Sequence, residues 1–279
     1  MNKIPVSVLI ITKNAGSHIS ECVESLGDFE QVIVVDSAST DETCNLAARH
    51  GAEIVNFTWN GTYPKKRQWC LDMLHLKHDW VLFVDADERV MPCLVREIRQ
   101  IFRRKEPPVE AGFFITGQYA WGKKILSFGT RNRKIALLHR RRMMFPVVDD
   151  LDCPGMGEIE GHYQPVLKDG YQGKIGWLKH MILHHTCTDY QEWLARHRRY
   201  AAWEICMNGK KVWPRDPIAS RELLKKLLRS LVLRPELIFL HSYILKLGFL
   251  DGVAGFHFAK SRWRYYHMIR SGQSLTSIE

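Results

Sequence analysis

Asp85 and Asp87 stand two residues apart at the end of the segment Trp80 to Glu88, directly after the apolar run Val81 to Val84. Two neighbouring carboxylates can hold a hard divalent cation such as Mg²⁺ or Mn²⁺, which keeps its other positions for water or phosphate oxygens. Asp36 closes another apolar run. A second acidic group, Asp149, Asp150, Glu158 and Glu160, lies in a Gly- and Pro-rich stretch, and a carboxylate of this kind can accept a proton from an attacking hydroxyl. If that stretch is extended, Glu158 and Glu160 share a face. Lys65, Lys66 and Arg67 are consecutive cations suited to a diphosphate, or to a solvated basic helix start. The competing reading of Asp85 to Glu88 is a cap on the helix announced by Pro92. His180 and His184 have an i, i+4 spacing that would suit zinc on a helix, but no Glu completes a His-Glu-x-x-His motif. Ordinary packed or exposed histidines are the preferred reading.

These residues need elements to position them. Val6 to Ile11, Gln31 to Val35 and Val81 to Val84 are apolar without alternation, the pattern of strands buried on both faces. Glu53 to Phe57 reads as another strand. Between them, residues 17–26 carry apolar positions at helical spacing with Ser17 as N-cap, and a helix from Ser39 to Glu42 onward closes at Gly51. Asp41 reads as a capping residue of that helix. Strand, helix, strand, helix, strand forms a βαβαβ unit, whose crossovers make the sheet parallel and gather its ligand loops at the carboxyl edge. Asp36, Asp85 and Asp87 fall at that edge. A further helix is expected over Leu94 to Phe102, and the sheet resumes at Gly112 to Thr116.

The chain of 279 residues has 40 Lys and Arg against 30 Asp and Glu, a formal net charge of +10 that points to an anionic partner. RNA- and DNA-binding motifs are not found, so nucleic acid is not expected. The basic run Arg131, Arg133, Lys134 and Arg140 to Arg142 reads as a solvated face or as the route of an anionic acceptor. Seven scattered cysteines without a Cys-x-x-Cys pair argue against a disulfide framework and fit a reducing cytosol. The first thirteen residues lack the pattern of a signal peptide.

The series Val8 to Asn14, Val34 to Asp41 and Trp80 to Glu88 resembles family 2 inverting glycosyltransferases of the GT-A fold, and is similar to the subgroup of bacterial lipopolysaccharide-core glucosyltransferases. The resemblance runs over residues 5 to about 100 and thins beyond them. It implies a GT-A-like, mostly parallel α/β sheet flanked by helices, with a nucleotide-sugar donor, a divalent metal and a cell-surface or lipid-linked saccharide acceptor. Residue by residue, it implies that Thr12 and Asn14 lie near the nucleoside, that Asp36 bonds the base or ribose, and that Asp85 and Asp87 hold the metal on the diphosphate, with Lys65 and Arg67 near it. His185 matches a metal-binding histidine of some relatives. The family's short acidic motif aligns with Tyr163 and Gln164, where this chain departs from it. The general base is therefore expected at Glu160, then Glu158, with Asp149 and Asp150 in reserve.

From residue 189 the character changes. Residues 190–279 hold 16 Lys and Arg against 7 Asp and Glu. Leu223, Leu224, Leu227, Leu228 and Leu231 alternate with Arg221, Lys225, Lys226 and Arg229 as a basic amphipathic helix, suited to a membrane surface or to docking on the globular part. Leu237 to Leu250 is apolar but too short to span. The expected organisation is a catalytic domain over 1–188 and a helical basic region over 189–279, attached peripherally to the cytoplasmic face of a membrane through salt-sensitive contacts. Two other functions are weighed, a sugar-nucleotide pyrophosphorylase and a non-enzymatic membrane-docking protein. The first lacks its Gly-rich loop between Ile10 and Gly16, and the intact Asp36, Asp85 and Asp87 argue against the second.

Overall fold

The computed structural model describes residues 2–161 and 163–272. The uninterrupted apolar run near the amino terminus forms β1 (Ile4–Thr12), almost wholly buried. It is followed by α1 (Ile19–Glu24), β2 (Phe29–Asp36), α2 (Thr43–Arg49), β3 (Glu53–Asn56), α3 (Lys66–Met73) and β4 (Trp80–Asp85). Then come β5 (Glu88–Arg89), α4 (Pro92–Phe102), β6 (Gly112–Trp121), β7 (Lys124–Ile125), β8 (Arg133–His139), β9 (Met143–Met144), β10 (Val166–Leu167) and β11 (Ile175–Cys187). The helical remainder is α5 (Tyr190–Lys210), α6 (Ala219–Ser230), α7 (Arg234–Leu240), a π-type turn His241–Leu245, a short 3-10 turn Gly248–Asp251 and α8 (Gly252–Ser271).

The main sheet has the order β3-β2-β1-β4-β8-β6-β11-β5. Its first half is parallel, as the βαβαβ pattern requires: β1 pairs with β2 and β4, and β2 with β3. The later strands change direction, β8 running antiparallel to both β4 and β6. Helix α4 shows why its residues pack there: Leu94, Val95, Ile98 and Ile101 fall on one face at helical spacing and are buried against the sheet. Pro92 opens the helix, and no side chain caps it. Asp85 to Glu88 therefore do not serve as its cap, and Glu88 instead sits in β5 opposite His184 of β11. The histidines at 180, 184 and 185 lie on a strand, not a helix. Helix α1 starts two residues after Ser17, which does not cap it. Gly51 closes the segment after α2 with φ +84°, a conformation that costs glycine least.

The chain divides into two compact units. The first is Met1–Gly117, Asn132–Phe145 and Gln164–His184; the second is Gln118–Arg131, Pro146–Tyr163 and His185–Glu279. In the second unit Cys153 and Cys206 form a disulfide with Cα atoms 5.7 Å apart. This corrects the expectation drawn from scattered cysteines, because the partners lie 53 residues apart and only folding brings them together. Five cysteines remain as thiols among the described residues, three of them buried.

Candidate active site

Strand register assembles the carboxyl edge. Thr12 of β1 lies opposite Asp36 of β2, and Ile11 lies opposite Asp85 of β4. Asp36 is buried, and its oxygens accept from the Thr12 hydroxyl at 3.0 Å and the Ser39 backbone N–H at 2.7 Å. Burial raises the Asp36 pKa, but these hydrogen bonds outweigh it and hold the carboxyl below its ordinary range. Asn14 adopts a left-handed conformation, φ 50°. Its backbone N–H donates to Ser39 Oγ at 2.7 Å, and its side-chain oxygen accepts from Thr40 N–H at 2.9 Å. Asp41 accepts from the N–H groups of Gly16 and Thr43, the second at the start of α2. These contacts tie the loop after β1 to the loop after β2.

The second group surrounds Asp85. Its Oδ2 accepts from Lys134 Nζ at 2.7 Å, and its Oδ1 lies 3.3 Å from Arg67 Nη2 at the start of α3. Lys134 also donates to Glu88 Oε2 at 2.7 Å, and the same oxygen accepts from the Asp85 N–H at 2.9 Å. His184 Nε2 stands 3.3 Å from Asp87 Oδ2, with its Nδ1 4.0 Å from Glu88 Oε1. Three acids thus face two permanent cations and one imidazole. Burial alone would raise Asp85, but Lys134 and Arg67 prevail and hold it well below the usual carboxylate range. Burial and the Asp85 charge push Glu88 up. For His184, burial favours the neutral ring, yet Asp87 and Glu88 outweigh it and raise its pKa.

Lys65 and Lys66 are both buried, unlike a solvated helix start. Lys66 Nζ donates to the Thr12 carbonyl at 3.0 Å and to Ser37 Oγ, joining α3 to the ends of β1 and β2. The Lys65 ammonium lies 5.6 Å from the Tyr63 ring centroid.

The structure thus gathers Thr12, Asn14 and Asp36 in one cluster, and Arg67, Asp85 and Asp87 in the next. Glu158, Glu160 and His185 belong to the second unit. There the acidic stretch is pinned to α5: Trp203 Nε1 donates to Asp150 at 2.9 Å, and Lys210 pairs with Asp149 at 3.1 Å and with Asp152. Gly161 fits because a Cβ there would fall 2.2 Å from the Trp203 ring. Glu160 is only 1% exposed and Glu158 is half-buried. Gln164, where the family motif places an acid, accepts from the Ile135 N–H at 2.7 Å.

Three residues named in the sequence were not assigned there to the Asp85 group: Lys134, Glu88 and His184. Lys134 was hidden in a basic run, and folding brings it in: β8 lies antiparallel beside β4, and the Lys134 ammonium reaches Asp85. His184 reaches Asp87 from β11, and His185, the next residue along that strand, is counted with the second unit.

Asp85 and Asp87 are hard oxygen donors, and Mg²⁺ is commonly held by one or two carboxylates together with substrate phosphates. That chemistry fits the pair. Among the described residues, no group of three or more His, Cys, Asp or Glu stands ready to hold a metal without such phosphates.

The sequence model of glycosyl transferase family 2 matches residues 7–159, more than half of the chain. The chain belongs to this family. Over 98 residues it is 38% identical to an uncharacterized glycosyltransferase of Rickettsia prowazekii (strain Madrid E), a match covering 35% of this chain and 32% of that protein. Over 97 residues it is 31% identical to the lipopolysaccharide core biosynthesis glycosyltransferase LpsC of Rhizobium meliloti (strain 1021), covering 33% of this chain and 35% of LpsC. The matched stretch thus spans about a third of these curated relatives. Among solved structures, glucosyl-3-phosphoglycerate synthase from Mycobacterium tuberculosis, in complex with Mn²⁺, UDP and glucosyl-3-phosphoglycerate, is 23% identical. The alignment covers 41% of this chain and 44% of that one, with a TM-score of 0.31.

Proposed function

We propose that this family 2 chain transfers a sugar from a nucleoside diphosphate sugar to a hydroxyl of a saccharide or lipid-linked saccharide, in a single displacement with inversion. Residues 1–188 carry the chemistry in this reading, and 189–279 form an accessory region. The observation that carries it is the strand register that aligns Thr12, Asp36 and Asp85 at one sheet edge, with Arg67 and Lys134 beside Asp85.

In this mechanism the acceptor oxygen bonds to the anomeric carbon as the bond from that carbon to the diphosphate oxygen breaks. The leaving group gains negative charge, and the acceptor proton passes to a carboxylate of the chain. Asp85 and Asp87 would hold Mn²⁺ or Mg²⁺, which supplies positive charge to the leaving diphosphate when bound. Arg67 and Lys65 contribute further positive charge at the start of α3, where a diphosphate also meets the helix dipole favourably. Thr12, Asn14 and Asp36 orient the nucleoside. Glu160 or Glu158 takes the proton; Glu158 is the less buried of the two. The similarity to LpsC, a lipopolysaccharide core biosynthesis glycosyltransferase, makes a lipopolysaccharide-like acceptor the first class to try.

The test is release of nucleoside diphosphate from a panel of nucleotide sugars with Mn²⁺ and truncated lipopolysaccharide acceptors. Acceptor-dependent release from one donor, abolished by Asp87→Ala, is expected. Release that is insensitive to Asp87→Ala would overturn the assignment.

A further inference from the structure

We propose that residues 219–256 of the second unit form a lipid-insertion surface that seats the chain on one leaflet of an anionic membrane. This does not depend on the glycosyl-transfer reading. Of the 24 large apolar side chains exposed among the described residues, 15 lie between Leu223 and Phe256, while the other nine are spread from Met73 to Tyr190. The exposure is extreme at Leu223 (70%), Val232 (74%), Leu245 (71%) and Val253 (73%). A soluble monomer rarely leaves so much apolar surface together without a partner for it.

Helix α6 is turned inside out relative to a soluble helix. Its cations point inward: Arg221 Nε and Lys225 Nζ lie 3.2 and 2.6 Å from Asp216 Oδ2, and the Arg229 guanidinium sits 3.9 Å from the Trp213 ring centroid. Its leucines are left outside, and no residue of the helix is buried. Three of the four cations that the sequence offers to anionic headgroups are therefore engaged within the unit, and apolar contact becomes the main attraction.

The segment after α6 has the matching shape. No single helix among the described residues is long and apolar enough to cross a membrane. Arg234–Leu245 and Gly248–Ser271 together have the length and composition of a broken span or re-entrant loop, bent by 70°. As a re-entrant loop, this bent pair would enter one leaflet without crossing it.

Charge selects lipid over a second copy of the chain. Every acid between 219 and 272 is engaged: Glu222 accepts from Asp216 N–H, Glu236 pairs with Arg270 at 3.0 Å, and Asp251 accepts from the N–H groups of Ser127 and Phe128. Lys226, Lys246 and Lys260 are exposed. The charge presented outward is therefore cationic, which anionic headgroups attract and an identical surface repels.

The experiment is flotation of the full chain with vesicles of phosphatidylcholine alone or mixed with phosphatidylglycerol, at low and high salt. Flotation with the mixed vesicles that survives high salt is expected, because inserted side chains are not screened. Leu224→Glu with Leu227→Glu, and separately Leu245→Glu with Leu250→Glu, should each lower the bound fraction at least about tenfold. Hydrogen exchange of the unaltered chain gives a second measurement, with slowed exchange over 223–256 expected when the mixed vesicles are added. Absence of flotation, salt-abolished flotation that ignores the leucine substitutions, or unchanged exchange over 223–256 would each overturn the proposal. So would a dimer that these substitutions dissociate in the absence of lipid.

Discussion

At the scale of single residues, the chemistry rests on how few side chains hold many charges. Lys134 pairs with two carboxylates at once, Asp85 and Glu88. Lys134→Met would leave these acids facing each other with Arg67 and His184 as the remaining cationic partners. The expected loss is about 1–3 kcal/mol of stability at neutral pH, measured by urea unfolding, since an acceptor left without its donor costs that order. No loss would mean that Lys134 does not stabilise the pair. For the proton acceptor, Glu160→Gln should preserve donor affinity and abolish turnover, because an amide keeps the shape but takes no proton. Turnover lost only in Glu158→Gln assigns the base to Glu158, and turnover kept in both places it elsewhere. The spacing of Asp85 and Asp87 is local and therefore legible in the sequence. Lys134 and His184 join them from 49 and 99 residues beyond Asp85, and only strand pairing reveals such neighbours.

At the scale of elements, β1, β2 and β4 were legible to within about two residues because buried parallel strands leave continuous apolar runs. The amphipathicity of α6 was legible too, but not which face turns inward. Asp216 decides that. It accepts from Ile218 N–H at 3.0 Å ahead of the helix and pairs with Arg221 and Lys225. Burial raises its pKa, but Lys225 and the Ile218 N–H outweigh it, so its folded value lies below the ordinary carboxylate value. Its contribution is complete above the unfolded pKa, near about pH 4, and disappears as pH falls through the lower folded value. Asp216→Asn should therefore lower Tm at neutral pH and flatten the fall in Tm on acidification. Parallel Tm-against-pH curves for the two proteins would remove Asp216 from this role.

At the scale of the whole molecule, the first half of the sheet follows from alternating strands and helices, whereas the antiparallel half and the Cys153–Cys206 bond depend on contacts between distant segments. The family membership covers residues 7–159, and the acidic stretch straddles its end, with Glu158 inside and Glu160 just outside. The motifs read from the sequence lie inside that match, whereas the acidic stretch falls at its edge, where the resemblance thins. The central claim is that Asp85 and Asp87 bind a nucleoside diphosphate through a divalent metal. Calorimetric titration of UDP and GDP, with and without Mn²⁺, into the unaltered chain, Asp85→Ala and Asp87→Ala tests it most directly. The account predicts Mn²⁺-dependent binding of one nucleotide that weakens at least about tenfold in each variant, equivalent to about 1.4 kcal/mol. Equal affinity in all three proteins, or binding indifferent to Mn²⁺, would contradict it.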